Sequence, residues 1–129
     1  MGRIIIRDSD SVEPTIFKDR ESKRVISPER DNSTRISLHK ILRYPRGKSY
    51  EVKYPENDEI LYILDGEGYI YDGEGEHLVK EGYCVFIPAN TSYQIDNSKE
   101  LIMLAILSPP RYRDEWTKRK DLVRIEPLF

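Results

Sequence analysis

Two stretches decide the fold: Glu59-Ile-Leu-Tyr-Ile-Leu-Asp-Gly66 and Gly82-Tyr-Cys-Val-Phe-Ile-Pro-Ala-Asn-Thr-Ser-Tyr-Gln-Ile-Asp-Asn97. Both are rich in β-branched and aromatic residues, which suit a pleated, half-buried surface. Both end on turn chemistry, Asp65-Gly66 and Asp96-Asn97, and further turn signals stand at Asp72-Gly73, Glu81-Gly82 and Pro88-Ala89-Asn90. Working outward, six of the seven glycines lie between Gly47 and Gly82, and eight of the nine tyrosines between Tyr44 and Tyr93. The chain therefore reads as short strands at Arg3–Arg7, Arg35–Arg43, Ser49–Lys53, Ile60–Leu64, Gly68–Tyr71, His77–Val79, Cys84–Ile87, Ser92–Ile95 and Leu101–Leu107. Many short strands separated by Gly and Asn turns predict an all-β antiparallel sandwich or barrel. A helical turn is expected only around Arg113–Asp121.

With 129 residues, the length predicts one domain. A core barrel is expected over about 35–108, with an N-terminal strand in 1–34 and a tail over 109–129 packing on the barrel or on a second subunit. The apolar Arg3–Arg7 run would be an exposed edge strand unless covered. Trp116 and the apolar groups of Leu122–Phe129 also need somewhere to pack, so a homodimer is favoured. Net charge is −2, and one cysteine, Cys84, excludes an internal disulfide and a cysteine-rich zinc site. No apolar run reaches the roughly 20 residues of a membrane span, and no signal peptide opens the chain, so a cytoplasmic protein with no membrane partner is expected. Charge is uneven: ten Lys/Arg stand against four Asp/Glu from Phe17 to Lys48, and eight acids with no base from Glu56 to Glu76. The basic stretch lacks interleaved aromatic residues, so no nucleic-acid partner is expected.

The segments Val52–Gly66 and Gly82–Asn97 together resemble the two motifs of the cupin family. Glu59 and Gly66 keep the spacing of the first motif, and Gly82, Pro88 and Asn97 keep that of the second. The resemblance implies a double-stranded β-helix, the cupin-like jelly-roll barrel, with a pocket between two sheets. It also implies a divalent metal held by two histidines, the glutamate and a third histidine. Here the sequence departs. Aligning on Pro55 puts Val52 and Tyr54 at the first two ligand positions; aligning on Gly47 puts Lys53 and Pro55 there. Tyr93 stands at the third histidine position, and Asn90, which tolerates a left-handed backbone, replaces a glycine. Only His39 and His77 exist in the chain, so a three-histidine centre is excluded.

Imidazole is the usual nitrogen donor for transition metals, and a phenol with a pKa near 10 is a poor ligand. No cofactor and no metal are therefore expected. Strand alternation puts Tyr93 with Ile95 on one face, and Glu59 with Leu61 and Ile63 on another. In the family geometry Glu59, Tyr93 and Tyr54 converge in the barrel mouth, with Lys53 as a further ligand-binding candidate in the Gly47 alignment. A carboxylate among apolar walls has a raised pKa, and a phenol beside it donates a hydrogen bond. Such a pair suits proton transfer on a small polar metabolite, with Glu59 as base, Tyr93 as acid or donor, and Tyr54 shaping the pocket. It equally suits a hydrogen-bonded pair filling a vacated metal site.

Three functions follow. The first is a metal-independent isomerase, epimerase, cyclase or lyase-type enzyme. The second is a non-catalytic ligand-sensing or dimerisation module. The third is a metal-dependent oxygenase with unconventional Glu and Tyr ligands. Elsewhere, the apolar set Ile36, Leu38 and Leu42 predicts that His39 faces outward, His77 reads as an exposed hairpin residue, and Cys84 reads as a small core residue.

Overall fold

The computed structural model describes residues 2–127. Its strands are β1 (Thr15–Phe17), β2 (Arg20–Ile26), β3 (Ser37–Arg43), β4 (Asp58–Asp65), β5 (Glu67–Asp72), β6 (Gly75–Lys80), β7 (Cys84–Ile87), β8 (Gln94–Asp96), β9 (Leu101–Ser108) and β10 (Leu122–Arg124). They form an antiparallel seven-stranded sheet, ordered β10-β1-β2-β3-β9-β4-β7, and a three-stranded sheet, ordered β6-β5-β8. This is the jelly-roll barrel. The Ser49–Lys53 stretch contributes a single bridge, Val52 to Tyr93, which ties the loop before β4 to the start of β8.

Period-2 alternation builds the core. From β4, Leu61 and Ile63 point between the sheets, where they meet Ile70, Val79, Ile87, Ile95, Leu101 and Met103. A second cluster of Phe17, Leu107 and Trp116 closes the other end, with Tyr54, Leu122 and Ile125 packed against it. Glu59 precedes Leu61 on the inward face of β4 and so lies where the two clusters meet. At the β4–β5 turn Gly66 has φ +90°, and a Cβ there would stand 2.5 Å from the Glu100 carbonyl oxygen. Only glycine fits that backbone and that approach.

Four expectations are corrected. Arg3–Arg7 is not a strand; Ile4 and Ile6 are 91% and 93% exposed. Its end is held by Arg7, which donates to both Asp31 carboxylate oxygens at 2.8 Å. The N-terminal strands are instead β1 and β2, which pair with the chain's own sheet. Their alternation is hidden because, apart from Phe17, the inward side chains are polar: Thr15, Arg20, Ser22 and Arg24 are all buried. His39 is also buried, because Ser37, His39 and Arg43 form the buried face of β3 while Ile36 is half exposed. Cys84 is exposed on the outer face, opposite Tyr62. The described residues hold two α-helical turns rather than one: α1 (Pro28–Asp31), capped by Ser27, is unexpected, and α2 (Arg113–Thr117) is shorter than expected and inserts Trp116 into the second core cluster. Of the apolar tail, Leu122 and Ile125 pack on that cluster, and 128–129 lie outside the described residues.

Candidate functional site

The inward phase of β4 points Glu59 into the barrel, and the Val52–Tyr93 bridge brings Tyr93 to face it. That bridge is a reciprocal pair of backbone hydrogen bonds of 2.8 and 2.9 Å. The Tyr93 hydroxyl donates to Glu59 Oε1 at 2.5 Å, between side chains that are both buried. This is the length of a charge-assisted O–H···O⁻ contact. Tyr54 follows the bridge at the same parity as Val52. Its carbonyl accepts from the Asn90 backbone N–H at 2.8 Å. Asn90 itself has φ +66°, as its place in the turn requires. The Tyr54 ring meets Trp116 edge-on, with centroids 6.3 Å apart, and carries the Arg111 guanidinium 4.6 Å above its face. Tyr54 is thus held by an edge-on ring contact and by a cation over its face.

Two cavities flank Glu59. One of about 40 Å³ is lined by Asp19, Arg20, Arg43, Tyr54, Glu59 and Tyr93 among others. The second, of about 30 Å³, is lined by Arg20, Arg24, His39, Tyr54, Glu59 and Trp116 among others. Each has room for a water molecule or two. Glu59, Tyr54 and Tyr93 therefore come together as the sequence suggested. Lys53 does not: it is exposed and lines neither cavity, because it alternates with the inward Val52 and Tyr54. The Pro55-anchored alignment describes the geometry.

Burial pushes the Glu59 carboxyl up to about 7, against the lowering effects of the Tyr93 hydrogen bond, Arg20 and Arg111. Burial and the nearby Glu59 charge push Tyr54 up to about 12, and they hold Tyr93 well above the ordinary phenol range. Both phenols therefore stay protonated at neutral pH. Burial, with Arg24 and Arg20 nearby, lowers His39 to about 3, so its imidazole is neutral.

The sequence reading missed the arginines and His39. Asp19 receives Arg20 at 2.8 Å, Arg43 at 3.2 Å and Arg46 at 3.3 Å. Arg24 pairs with Glu126 at 3.0 Å and with Glu29. The alternation Arg20-x-Ser22-x-Arg24 was the available signal, but its polarity reads as a solvated edge. His39 Nε2 lies 3.2 Å from Ser37 Oγ, and its ring meets Trp116 edge-on at 5.8 Å.

These donors do not fit a divalent metal. Glu59 is one carboxylate with an oxygen already engaged, its neighbours are two neutral phenols, and Arg20, Arg24 and Arg43 line the same cavities. Among the described residues no three His, Cys, Asp or Glu side chains stand together as a metal-binding group.

A family model described as "Cupin domain" matches residues 40–107. A Methanocaldococcus jannaschii protein, MJ1618, whose function is uncharacterised, is 28% identical over 118 residues, covering 90% of this chain and 94% of its own. The L-ectoine synthase of a Marinomonas species is 25% identical over 103 residues, covering 71% of this chain and 80% of its own. The crystal structure of ectoine synthase from P. lautus superposes with a TM-score of 0.81 at 17% identity, over 96% of this chain and 92% of that one. That last likeness is one of fold.

Proposed function

Starting from the fact that the chain belongs to the cupin family, we propose that it is a metal-independent enzyme transferring a proton on a small polar metabolite, in an isomerisation, epimerisation, cyclisation or elimination. The observation that carries this reading is the 2.5 Å Tyr93–Glu59 contact at the junction of two cavities. A carboxyl held near 7 can accept and return a proton at neutral pH with little driving-force mismatch. Glu59 takes the proton from a substrate carbon or hydroxyl and delivers it to the neighbouring atom. Tyr93 keeps its own proton and stabilises the carboxylate through Oε1. Tyr54, also protonated, walls the cavity and offers a donor to an oxyanion developing beside it. Similarity to an L-ectoine synthase supports an enzymatic reading without fixing the substrate.

Solvent deuterium wash-in tests this. The protein is incubated in D₂O with small hydroxy and oxo compounds, and exchange is followed by proton NMR. Catalysed exchange that vanishes in Glu59→Gln is expected; exchange that persists in that variant defeats the assignment. The small volume of both cavities favours a second reading, a non-catalytic ligand-sensing or dimerisation module. Wash-in failing on every compound that binds would select it.

The partner we assign is a second copy of this chain, seated on the outer face of β4, β7 and β9. Tyr62 and Phe86 are exposed there, with Ile60 and Leu104 half-buried beside them. The acids of Glu56–Glu76 and the bases of Phe17–Lys48 supply complementary charge from a single sequence. No helix among the described residues is long and apolar enough to cross a membrane. The exposed free thiol of Cys84 suits a reducing compartment, and on that ground the cytoplasm is proposed.

A further inference from the structure

Beyond the cavities around Glu59 lies a third depression, of about 270 Å³, lined by Lys18, Tyr50, Arg119, Lys120 and Asp121. Tyr50 and Arg119 also line the 40 Å³ cavity. These two side chains therefore stand between the outer basin and Glu59. Tyr50 is 62% exposed, and Arg119 is oriented by Asp121 through bonds of 2.9 and 3.1 Å.

Charge along this path is unbalanced. Lys18, Arg119 and Lys120 line the basin, and Arg20 and Arg43 line the inner cavity. The carboxylates facing them are Asp19, Asp121 and Glu59. Asp19 is shared by Arg20, Arg43 and Arg46, and Asp121 by Arg20 and Arg119. Lys18 and Lys120 make no ion pair among the described residues. Arg43, whose side chain is only 5% exposed, has a buried Nε without a hydrogen-bond partner.

We propose that the basin admits a small organic carboxylate, gripped at its carboxylate by Arg119, Lys18 and Lys120, with its uncharged end passing Tyr50 to reach Glu59 and Tyr93. This assignment of substrate class rests on the proton-transfer reading of that pair. Guanidinium and ammonium groups also take phosphate, but Asp121 lines the basin itself and repels a dianion more than a monoanion. The basin is smaller than the roughly 300 Å³ at which ordinary ligand pockets begin, which restricts the ligand to a few carbons.

Calorimetry and thermal shift at low salt on the full chain test this. The probes are glycolate, lactate and 3-hydroxybutyrate, their amides, and inorganic phosphate. Carboxylates are expected to bind roughly tenfold more tightly than their amides. The exposed-site double variant Lys18→Gln/Lys120→Gln is expected to weaken carboxylates about fivefold and amides not at all. Amides binding as tightly as the acids would overturn the charge assignment and leave the Glu59–Tyr93 reading intact. Phosphate outcompeting every carboxylate, or no carboxylate binding, also overturns it. Carboxylate binding with no deuterium wash-in, unaffected by Glu59→Gln, would keep the basin and defeat the proton-transfer reading.

Discussion

Glu59→Gln should flatten a pH dependence of stability that the native chain carries. Glu59 is 4% exposed, and burial lifts its carboxyl from 4.5 to about 7. The groups facing it are Tyr93, Tyr54, Arg20, Arg43 and Arg111. Below 4.5 the carboxyl is neutral in both folded and unfolded chains, and its contribution to stability is fully present. As pH rises toward 7 the unfolded chain ionises first, so the folded state loses that contribution. At about 1.4 kcal/mol per pKa unit the full loss is roughly 3.5 kcal/mol once the pH has passed 7. His39 acts with the opposite sign. Held at about 3 against an ordinary 6.5, it stabilises the fold above 6.5 and loses this as pH falls. Because the native chain and the variant share His39, their difference isolates Glu59. Urea denaturation from about pH 5 to about pH 8 should show Glu59→Gln gaining roughly 2–3 kcal/mol on the native chain. Parallel curves over that range would mean that Glu59 ionises like a solvated carboxylate and that burial does not lift its carboxyl.

Tyr93→Phe removes the donor to Glu59 Oε1, so it should cost about 1.5–3 kcal/mol where the carboxylate is ionised and less where it is neutral; denaturation at two pH values separates this from a simple packing loss. Arg24→Met should cost about 3–5 kcal/mol, because Glu126 is left buried without its partner; denaturation alongside a variant of the exposed Arg124–Glu13 pair, worth under about 1 kcal/mol, gives the comparison. Phe86→Glu places a charge on the proposed dimer face; light scattering should find native dimers and a variant monomer of 15.2 kDa, and a native monomer would end the dimer proposal.

The part of the fold that could be read from the sequence is the part whose inward side chains are apolar. On β4, β8 and β9 the alternation of Leu61 with Ile63, Tyr93 with Ile95, and Leu101 with Met103 matches the core. The unread strands bury charge. Arg20 and Arg24 enter the barrel because Asp121 and Glu126 meet them from the other end of the chain, and local periodicity carries no trace of a partner so distant. On β3 the two parities compete. Ile36, Leu38 and Leu42 look like a core face, yet Ser37, His39 and Arg43 are the ones inside, because the polar interior continues across from β2. The Arg3–Arg7 run is apolar enough for a strand but pairs with no strand among the described residues. For the candidate site, motif spacing picked out Glu59, Tyr93 and Tyr54, which the fold brings together, whereas Lys53 points away because one strand parity turns only one of two neighbouring residues inward.

Carbon-13 NMR of the glutamate carboxyls, with the Glu59 signal assigned through Glu59→Gln, tests the proton-carrying carboxyl most directly. A midpoint near 7, with Tyr93 remaining protonated throughout, is the expected result. A Glu59 midpoint near the ordinary 4.5 would leave the carboxyl fully ionised at neutral pH and would contradict the proposed chemistry.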